Sequence, residues 1–324
     1  MKTIKDVAAA AGVSVASVSR AMNSPETVSP PTLERIRAVI QDLEYAPNKI
    51  ARSLKAHTSK SVAVIVPDIS NPFYLKVIKG AESVLTAAGY TQFIMDTEES
   101  AEKESRSLRD LLDRQIDGLV YIPVLANRKL PRILVNNRIP LVFVDRILGT
   151  DHDCVRGDSF SGISMLIQHL TNQGKSRIAL IGGPEDAQIG LERNQAFRTL
   201  VRQLHLDEDP ALVKTGAFTI EDGYRLTTEL IEAHLGVDGL VVANNLLGIG
   251  ALKAIRDLKS RLSFDLELAV FDEVGELVDP PVTHVRQQAH EMGAQATRFL
   301  LERIQGLKGQ PRMVKFEPQL MFFP

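Results

Sequence analysis

Seven polar residues of this 324-residue chain stand at or just after the ends of short apolar runs: Asp68, Asn71, Asp145, Arg146, Asn244, Asn245 and Asp272. Phe73 and Phe218 fall near loop starts, and Arg193 falls early in a helix-like stretch. Carboxylates, amides and guanidinium forks beside an aromatic wall suit a hydroxyl-rich ligand, because a buried hydroxyl needs both a donor and an acceptor. Taken singly, each of these residues equally fits a helix cap or a turn. Arg146 and Arg193 leave two readings open. Their forks neutralise Asp68, Asp145 and Asp272 within the protein, or they grip a ligand carboxylate or phosphate bidentately. The expected ligand is a sugar or sugar derivative, with a sugar acid or sugar phosphate as its anionic variant.

Catalytic patterns fail on inspection. Gly174-Lys175-Ser176 looks like the tail of a phosphate loop, but His169 stands where that motif needs its first glycine, and Gly174 follows a helical stretch, not a strand. The seven His residues show no metal-ligand spacing with acids or with Cys154. No metal, no cofactor and no nucleophilic triad are expected, and the chain is not expected to be an enzyme. A lone cysteine permits no internal disulfide and reads as an ordinary small residue.

The elements that must position the polar set are legible from residue 61 onward. Apolar runs at Val62–Val66, Gln92–Met95, Gly118–Ile122, Leu141–Val144, Ile178–Ile181, Gly239–Ala243 and Leu266–Phe271 alternate with helix-length amphipathic stretches. That alternation predicts parallel sheets with helical crossovers. The runs also recur in two sets. Val62–Asp68 parallels Ile178–Pro184, Asp117-Gly118-Leu119-Val120 repeats as Asp238-Gly239-Leu240-Val241, and Val142-Phe143-Val144-Asp145 echoes Ala269-Val270-Phe271-Asp272. Two similar lobes follow, and ligands of open α/β sheets collect beyond the carboxyl ends of the strands, so the polar residues are expected to line a cleft between them.

The first 60 residues differ in charge and in period. They hold nine Lys/Arg against five Asp/Glu, whereas residues 61–324 hold 29 against 35. A basic head on an acidic body suits one part that meets phosphate and one that does not. Thr3 is placed to cap a helix with Ile4, Val7, Ala8 and Ala11 on one face, and Gly12 ends it. Ser14 caps a second helix, Val15–Met22, with Val18 and Ala21 inward and Val15, Ala16, Ser17, Ser19 and Arg20 outward. Ser29, Pro30 and Pro31 open a third, whose Leu33, Ile36, Ile40 and Leu43 form a buried stripe. This pattern fits a helix-turn-helix headpiece, and equally a bundle of short helices with no nucleic-acid role.

Thr3-Ile4-Lys5-Asp6-Val7-Ala8, Ala11-Gly12-Val13-Ser14, Val18-Ser19-Arg20 and Tyr45-Ala46-Pro47-Asn48 closely resemble the start of lactose/galactose-repressor (LacI/GalR) family transcription regulators. The resemblance puts Val15, Ala16 and Arg20 toward base edges in the major groove, with Ser14 and its helix N-terminus against phosphate. Ser19 and Asn48 join the expected DNA contacts. In the hinge, Pro47 through His57, Lys49, Arg52 and Lys55 carry positive charge, and the resemblance implies that Leu54 wedges into the minor groove. A plain linker whose leucine packs on the body is the other reading. Pro67–Tyr74, Arg193 with Phe197, Val242-Ala243-Asn244 and Phe271-Asp272 match the same family's sensor domain, which is similar to periplasmic sugar-binding proteins. The resemblance carries pocket roles to Asp68, Phe73, Asp145, Arg193, Phe218, Asn244 and Asp272, beside Arg146 from the cleft reading. It departs at Asn245, where the family usually has Asp, and at Ala196, His284 and Gln288.

The expected architecture is an all-α headpiece (1–46), a hinge (47–60) and an α/β periplasmic-binding-protein-like body of two doubly wound lobes. The first lobe takes about 61–158 and 290–316, and the second about 159–289 and 317–324. The expected function is a sequence-specific transcriptional regulator, a repressor that binds a near-palindromic double-stranded DNA operator as a homodimer. A small-molecule effector, a carbohydrate or a sugar acid or phosphate, controls it. No signal-like or membrane-length apolar segment stands in the sequence, and a cytoplasmic protein is expected. The chain stops shortly after Met313–Phe316, without a leucine-heptad tail of the kind that makes some relatives tetrameric. A solute-binding component of a sugar transport system is the alternative.

Overall fold

A computed structural model describes residues 2–45, 58–124, 129–233, 235–258, 266–275 and 282–322. The chain forms two compact units, Met1–Ser59 and Lys60–Pro324.

The first unit holds helices α1 (Ile4–Ala10), α2 (Val15–Asn23) and α3 (Pro30–Asp42). Thr3 starts α1 through a reciprocal cap with Asp6, whose Oδ2 accepts from the Thr3 backbone N at 2.7 Å and from its Oγ1 at 2.9 Å. Gly12, at φ +62°, reverses the chain where a β-carbon would be strained. Ser14 Oγ then accepts from Ser17 N at 3.1 Å and starts α2. Val7, Ala8, Ala11, Val18, Ala21 and Ile36 form the core, with Leu33, Ile40 and Leu43 packed around it.

The second unit contains two six-stranded sheets. The first uses β1 (Ser61–Val66), β2 (Thr91–Asp96), β3 (Gly118–Tyr121), β4 (Leu141–Val144), β5 (Asp153–Gly157) and β11 (Met313–Phe316), in the order β11-β5-β4-β3-β1-β2. The second uses β6 (Ile178–Gly182), β7 (Val213–Thr215), β8 (Gly239–Val242), β9 (Glu267–Phe271), β10 (Thr283–Arg286) and β12 (Gln319–Met321), in the order β12-β10-β9-β8-β6-β7. All pairings are parallel except β10 with β12. The internal repeat is therefore a repeat of topology. Its Asp pair does equivalent work in each half: Asp117 Oδ2 accepts from Lys60 N at 3.0 Å, and Asp238 Oδ2 accepts from Ser176 N at 3.0 Å.

All seven apolar runs lie on strands. Five further strands escaped the sequence pattern. β7 and β12 are three-residue edges, and β5 interleaves Asp153 and Arg156 with Cys154 and Val155. Those charges are buried because other charges answer them. Asp153, only 2% exposed, takes two hydrogen bonds from Arg303 and two from the Arg312 side chain, and Cys154 is buried beside it.

Helices α4 (Pro72–Ala87) and α11 (Ala289–Ile304) cover one face of the first sheet. They cross at backbone contact, for a β-carbon on Gly80 would lie 1.9 Å from the His290 carbonyl oxygen and one on Gly293 2.1 Å from that of Val77. Helix α5 (Ala101–Asp113) and the short α6 (Arg132–Asn137) cover the other face. In the second lobe α7 (Ser159–Asn172) and α8 (Gln188–Gln203) lie on one side, and α9 (Ile220–Glu232) and α10 (Asn245–Asp257) on the other. The chain passes between the lobes at 157–159, 286–289 and 316–319. Two passages touch, since a β-carbon on Gly157 would meet Gln287 Oε1 at 1.9 Å.

Candidate functional site

On the headpiece, α2 divides its residues cleanly. Val18 and Ala21 are buried, while Ser14, Val15, Ala16 and Arg20 are exposed and Ser19 is half-buried. Val15 leaves 41% of its surface open on a helix whose capping Ser14 is also exposed. An exposed apolar residue and an arginine fork on one short helix match what a major groove offers, namely thymine methyls and guanine edges. Asn48, Lys49, Arg52 and Leu54 lie outside the described residues.

In the body, all the sequence-expected cleft residues line one pocket between the lobes. Asp145 and Asp272 each follow the last residue of a strand, β4 and β9, and turn left-handed at φ +63° and +71°. Each donates its backbone N–H at 2.9 Å to the neighbouring strand, Asp145 to Val155 O and Asp272 to Val285 O. Asp is among the few residues that tolerate this conformation, and here it delivers one carboxylate from each lobe to the same cleft.

The other positions are held as firmly. Asp68 Oδ1 accepts from Ser70 N at 2.8 Å and Ser70 Oγ at 2.6 Å. Asn244 caps α10, accepting from Leu247 N at 2.8 Å. Phe73 is buried in the first turn of α4, edge-on to Tyr74 with centroids 5.2 Å apart. Phe218 lies over Gly183, where a β-carbon would fall 2.2 Å from its ring.

The two arginines are engaged differently: Arg146 is taken chiefly by Glu99, while Arg193 lies within the field of Asp272 and Asp145. Arg146 pairs with Glu99 at 2.7 Å, and donates to Tyr74 Oη at 2.9 Å and to Pro123 O at 3.1 Å. Burial lowers its pKa, but Tyr74 and Glu99 outweigh that and raise it. Burial also pushes the Tyr74 hydroxyl up. Arg193, 4% exposed, donates to Ala243 O at 2.6 Å and stacks 3.6 Å above the Phe271 ring. Burial lowers its pKa, with Asp272 and Asp145 opposing, and its Nε has no hydrogen-bond partner among the described residues.

Asp272 is pushed up to about 6 by burial, against the pull of Arg193 and of Gln287. Gln287 Nε2 donates to both its oxygens, at 3.1 and 2.9 Å. Tyr74, Glu99, Ile189, Leu246 and Gln287 also line the pocket and were missed in the sequence. Tyr74 alone carried a signal, being adjacent to Phe73 in the matched segment. Glu99 and Gln287 gain their roles only from partners distant in sequence. Two ion pairs also join the lobes, Arg156 with Glu192 at 2.7 Å and Lys76 with Glu273 at 2.5 Å. Among the described residues no group of His, Cys, Asp and Glu is placed to hold a metal ion, and no helix is long and apolar enough to cross a membrane.

A helix-turn-helix on a two-lobed cleft domain defines a ligand-responsive DNA-binding regulator. Residues 3–48 match the model of bacterial regulatory proteins of the lacI family, and residues 167–322 match that of a periplasmic binding protein-like domain. The chain is 32% identical over 311 residues to a ribose operon repressor of Halalkalibacterium halodurans, covering 94% of this chain and 91% of the relative. It is 32% identical over 329 residues to the HTH-type transcriptional regulator CelR of Thermobifida fusca, covering 98% and 96%. Among solved structures, a CelR–cellobiose complex superposes with a TM-score of 0.74 at 29% identity, covering 99% of both chains. The lac repressor dimer bound to operator and an anti-inducer gives 0.85 at 22% identity over 99% and 98%, a likeness of fold. The chain belongs to the lacI family and is a helix-turn-helix transcriptional regulator.

Proposed function

We propose that the protein is a repressor that binds a near-palindromic operator as a homodimer and is controlled by a small hydroxyl-rich molecule in the interlobe cleft. The carrying observation is the convergence of Asp68, Asp145, Arg193, Asn244 and Asp272, from both lobes, on one pocket. Relatives named for the ribose operon and bound to cellobiose support a carbohydrate. On this reading Val15, Ala16 and Arg20 read bases, and Ser14, Ser19, Asn48, Lys49 and Arg52 meet the backbone. Leu54 enters the minor groove. Effector binding changes how the lobes meet, and with it the fitness of the paired hinges for DNA, a coupling of about 1–3 kcal/mol.

On this reading the protein works where its DNA is, in the cytoplasm, and its cleft serves binding, the described lining being carboxylates, amides, arginines and aromatic rings. A transport component would have no use for the exposed face of α2. The test is a gel shift with genomic fragments, sequencing of the bound pool, and repetition at rising salt. Affinity is expected to fall steeply with salt as Lys and Arg displace counterions. A flat salt response, or no enriched sequence, would overturn the reading.

A further inference from the structure

We infer that the cleft selects an electrically neutral, hydroxyl-rich effector and rejects the phosphorylated or carboxylated form of the same molecule. This rests on the reading of the cleft as the sensing site. The decisive group is Asp145. It is 5% exposed, lines the pocket, and its carboxylate accepts no hydrogen bond from any described residue. The backbone around it is fully engaged, with its N–H on Val155 O and its carbonyl oxygen accepting from Arg156 Nε at 3.1 Å. A carboxylate that faces the pocket near Arg146 and Arg193, yet takes no hydrogen bond from the described residues, is open to donors from a ligand. Ligand hydroxyls are such donors.

The charge of the lining points the same way. Asp68, Glu99, Asp145 and Asp272 face the pocket against Arg146 and Arg193. Arg146 is already spent on Glu99, Tyr74 and Pro123. Arg193 remains to face Asp68, Asp145 and Asp272, and it too is tied to Ala243 O and the Phe271 ring. An entering phosphate or carboxylate would add a further negative charge where low dielectric magnifies repulsion. A neutral polyol meets no such barrier. It gives hydroxyl protons to Asp145 and Asp272 and offers an oxygen to Arg193 Nε, which has no hydrogen-bond partner among the described residues. The anionic alternative allowed by two arginine forks is thereby set aside. Asp272, held up near 6 by burial, adds that the site already resists the negative charge it carries.

Calorimetry on the full chain with matched pairs tests this: D-ribose against ribose 5-phosphate, D-glucose against glucose 6-phosphate and gluconate, and cellobiose against cellobionate. At least one neutral member is expected to bind ten-fold or more tightly than its anionic partners, with an affinity that salt does not change. Asp145→Asn keeps size, and Asn tolerates the left-handed turn. This variant is expected to raise the melting temperature of the unliganded protein and to shrink the neutral-to-anionic ratio several-fold. An anionic member binding more tightly than its parent, or an unchanged ratio in D145N, overturns the inference and leaves the sensing site standing. Binding of purines or amino acids alone, with every sugar silent, overturns the carbohydrate reading itself.

Discussion

Asn71 on the first lobe and Asn245 on the second exchange hydrogen bonds: Asn245 Nδ2 donates to Asn71 Oδ1 at 3.0 Å, and Asn71 Nδ2 donates to Asn245 Oδ1 at 3.4 Å. Both residues are buried at the N-terminal ends of helices, Asn71 capping α4 and Asn245 beginning α10. Asn244 Nδ2 donates to the same Asn245 oxygen at 3.2 Å, which makes a run of amides across the cleft. An amide serves both directions. An ionised Asp at 245 would accept from Asn71 and return nothing.

Asn245→Ala removes this tie. It is expected to cost about 1–2 kcal/mol of stability and to weaken effector binding, since an interlobe hydrogen bond of ordinary strength is lost. Asn71 Oδ1 keeps its bond from Phe73 N at 3.0 Å, so the helix cap survives. Urea unfolding and effector titration check both, with operator affinity of the unliganded form as the control.

Arg20→Ala is expected to weaken operator binding by about 1–3 kcal/mol and to relax preference at one base pair per half-site. Selection of bound sequences from a randomised operator pool reads this out. Effector affinity should not move, because Arg20 belongs to the headpiece, outside the cleft.

Asp153→Ala is expected to destabilise the first lobe by roughly 3–5 kcal/mol, because Arg303 and Arg312 would lose a shared, fully buried carboxylate. Burial raises the Asp153 pKa, but the hydrogen bonds from both arginines outweigh it and hold the carboxyl well below the usual range. A depressed native value gives stability that is present above the unfolded value of about 3.9 and lost as pH falls through it toward the native one. Wild-type stability should therefore fall as pH drops below about 4, and D153A should flatten that acid limb, as urea unfolding followed from neutral to acid pH would read.

Asp272 has the opposite sign. Its native pKa, about 6, lies above the ordinary carboxylate value, so its neutral form favours folding at low pH and that contribution fades as pH rises through 6. Asp272→Asn is expected to make the unliganded protein more stable at pH 7 to 8, to remove the stability decline across pH 4 to 6, and to weaken effector binding. Melting temperatures measured across this range, with and without ligand, decide it.

The sequence exposed the central strands and the residues at their carboxyl ends because both obey local rules: an apolar run ends, and a polar residue must turn the chain. Asp145 and Asp272 were found in this way, and the repeated Val/Phe-Asp ending paired them. The edges were harder. Val213-Lys214-Thr215 is too short for any period to register, and in β5 the polar Asp153 and Arg156 mask a buried strand. Pocket residues were missed for a related reason. Glu99 matters because Arg146, on another strand end, needs a counter-charge, and Gln287 because Asp272 needs donors. Such pairings exist only after the lobes form, and a linear reading that weighs each residue by its neighbours has no access to them.

The three passages between the lobes also set the order in which a growing chain can mature. Met292, Ala296 and Leu300 of α11 belong to the first lobe's core, which is otherwise built largely from residues before 156, and β11 closes the same sheet. The lobe begun first during synthesis is thus completed after most of the second has been made. Among the described residues the headpiece core is built from residues 4–45, and it is ready long before. A message that terminates before residue 289 would yield a finished DNA-reading head on a sensor whose first lobe bares the apolar floor under α11. Truncation in this chain therefore uncouples reading from sensing, because the reader matures early and the sensor is sealed last.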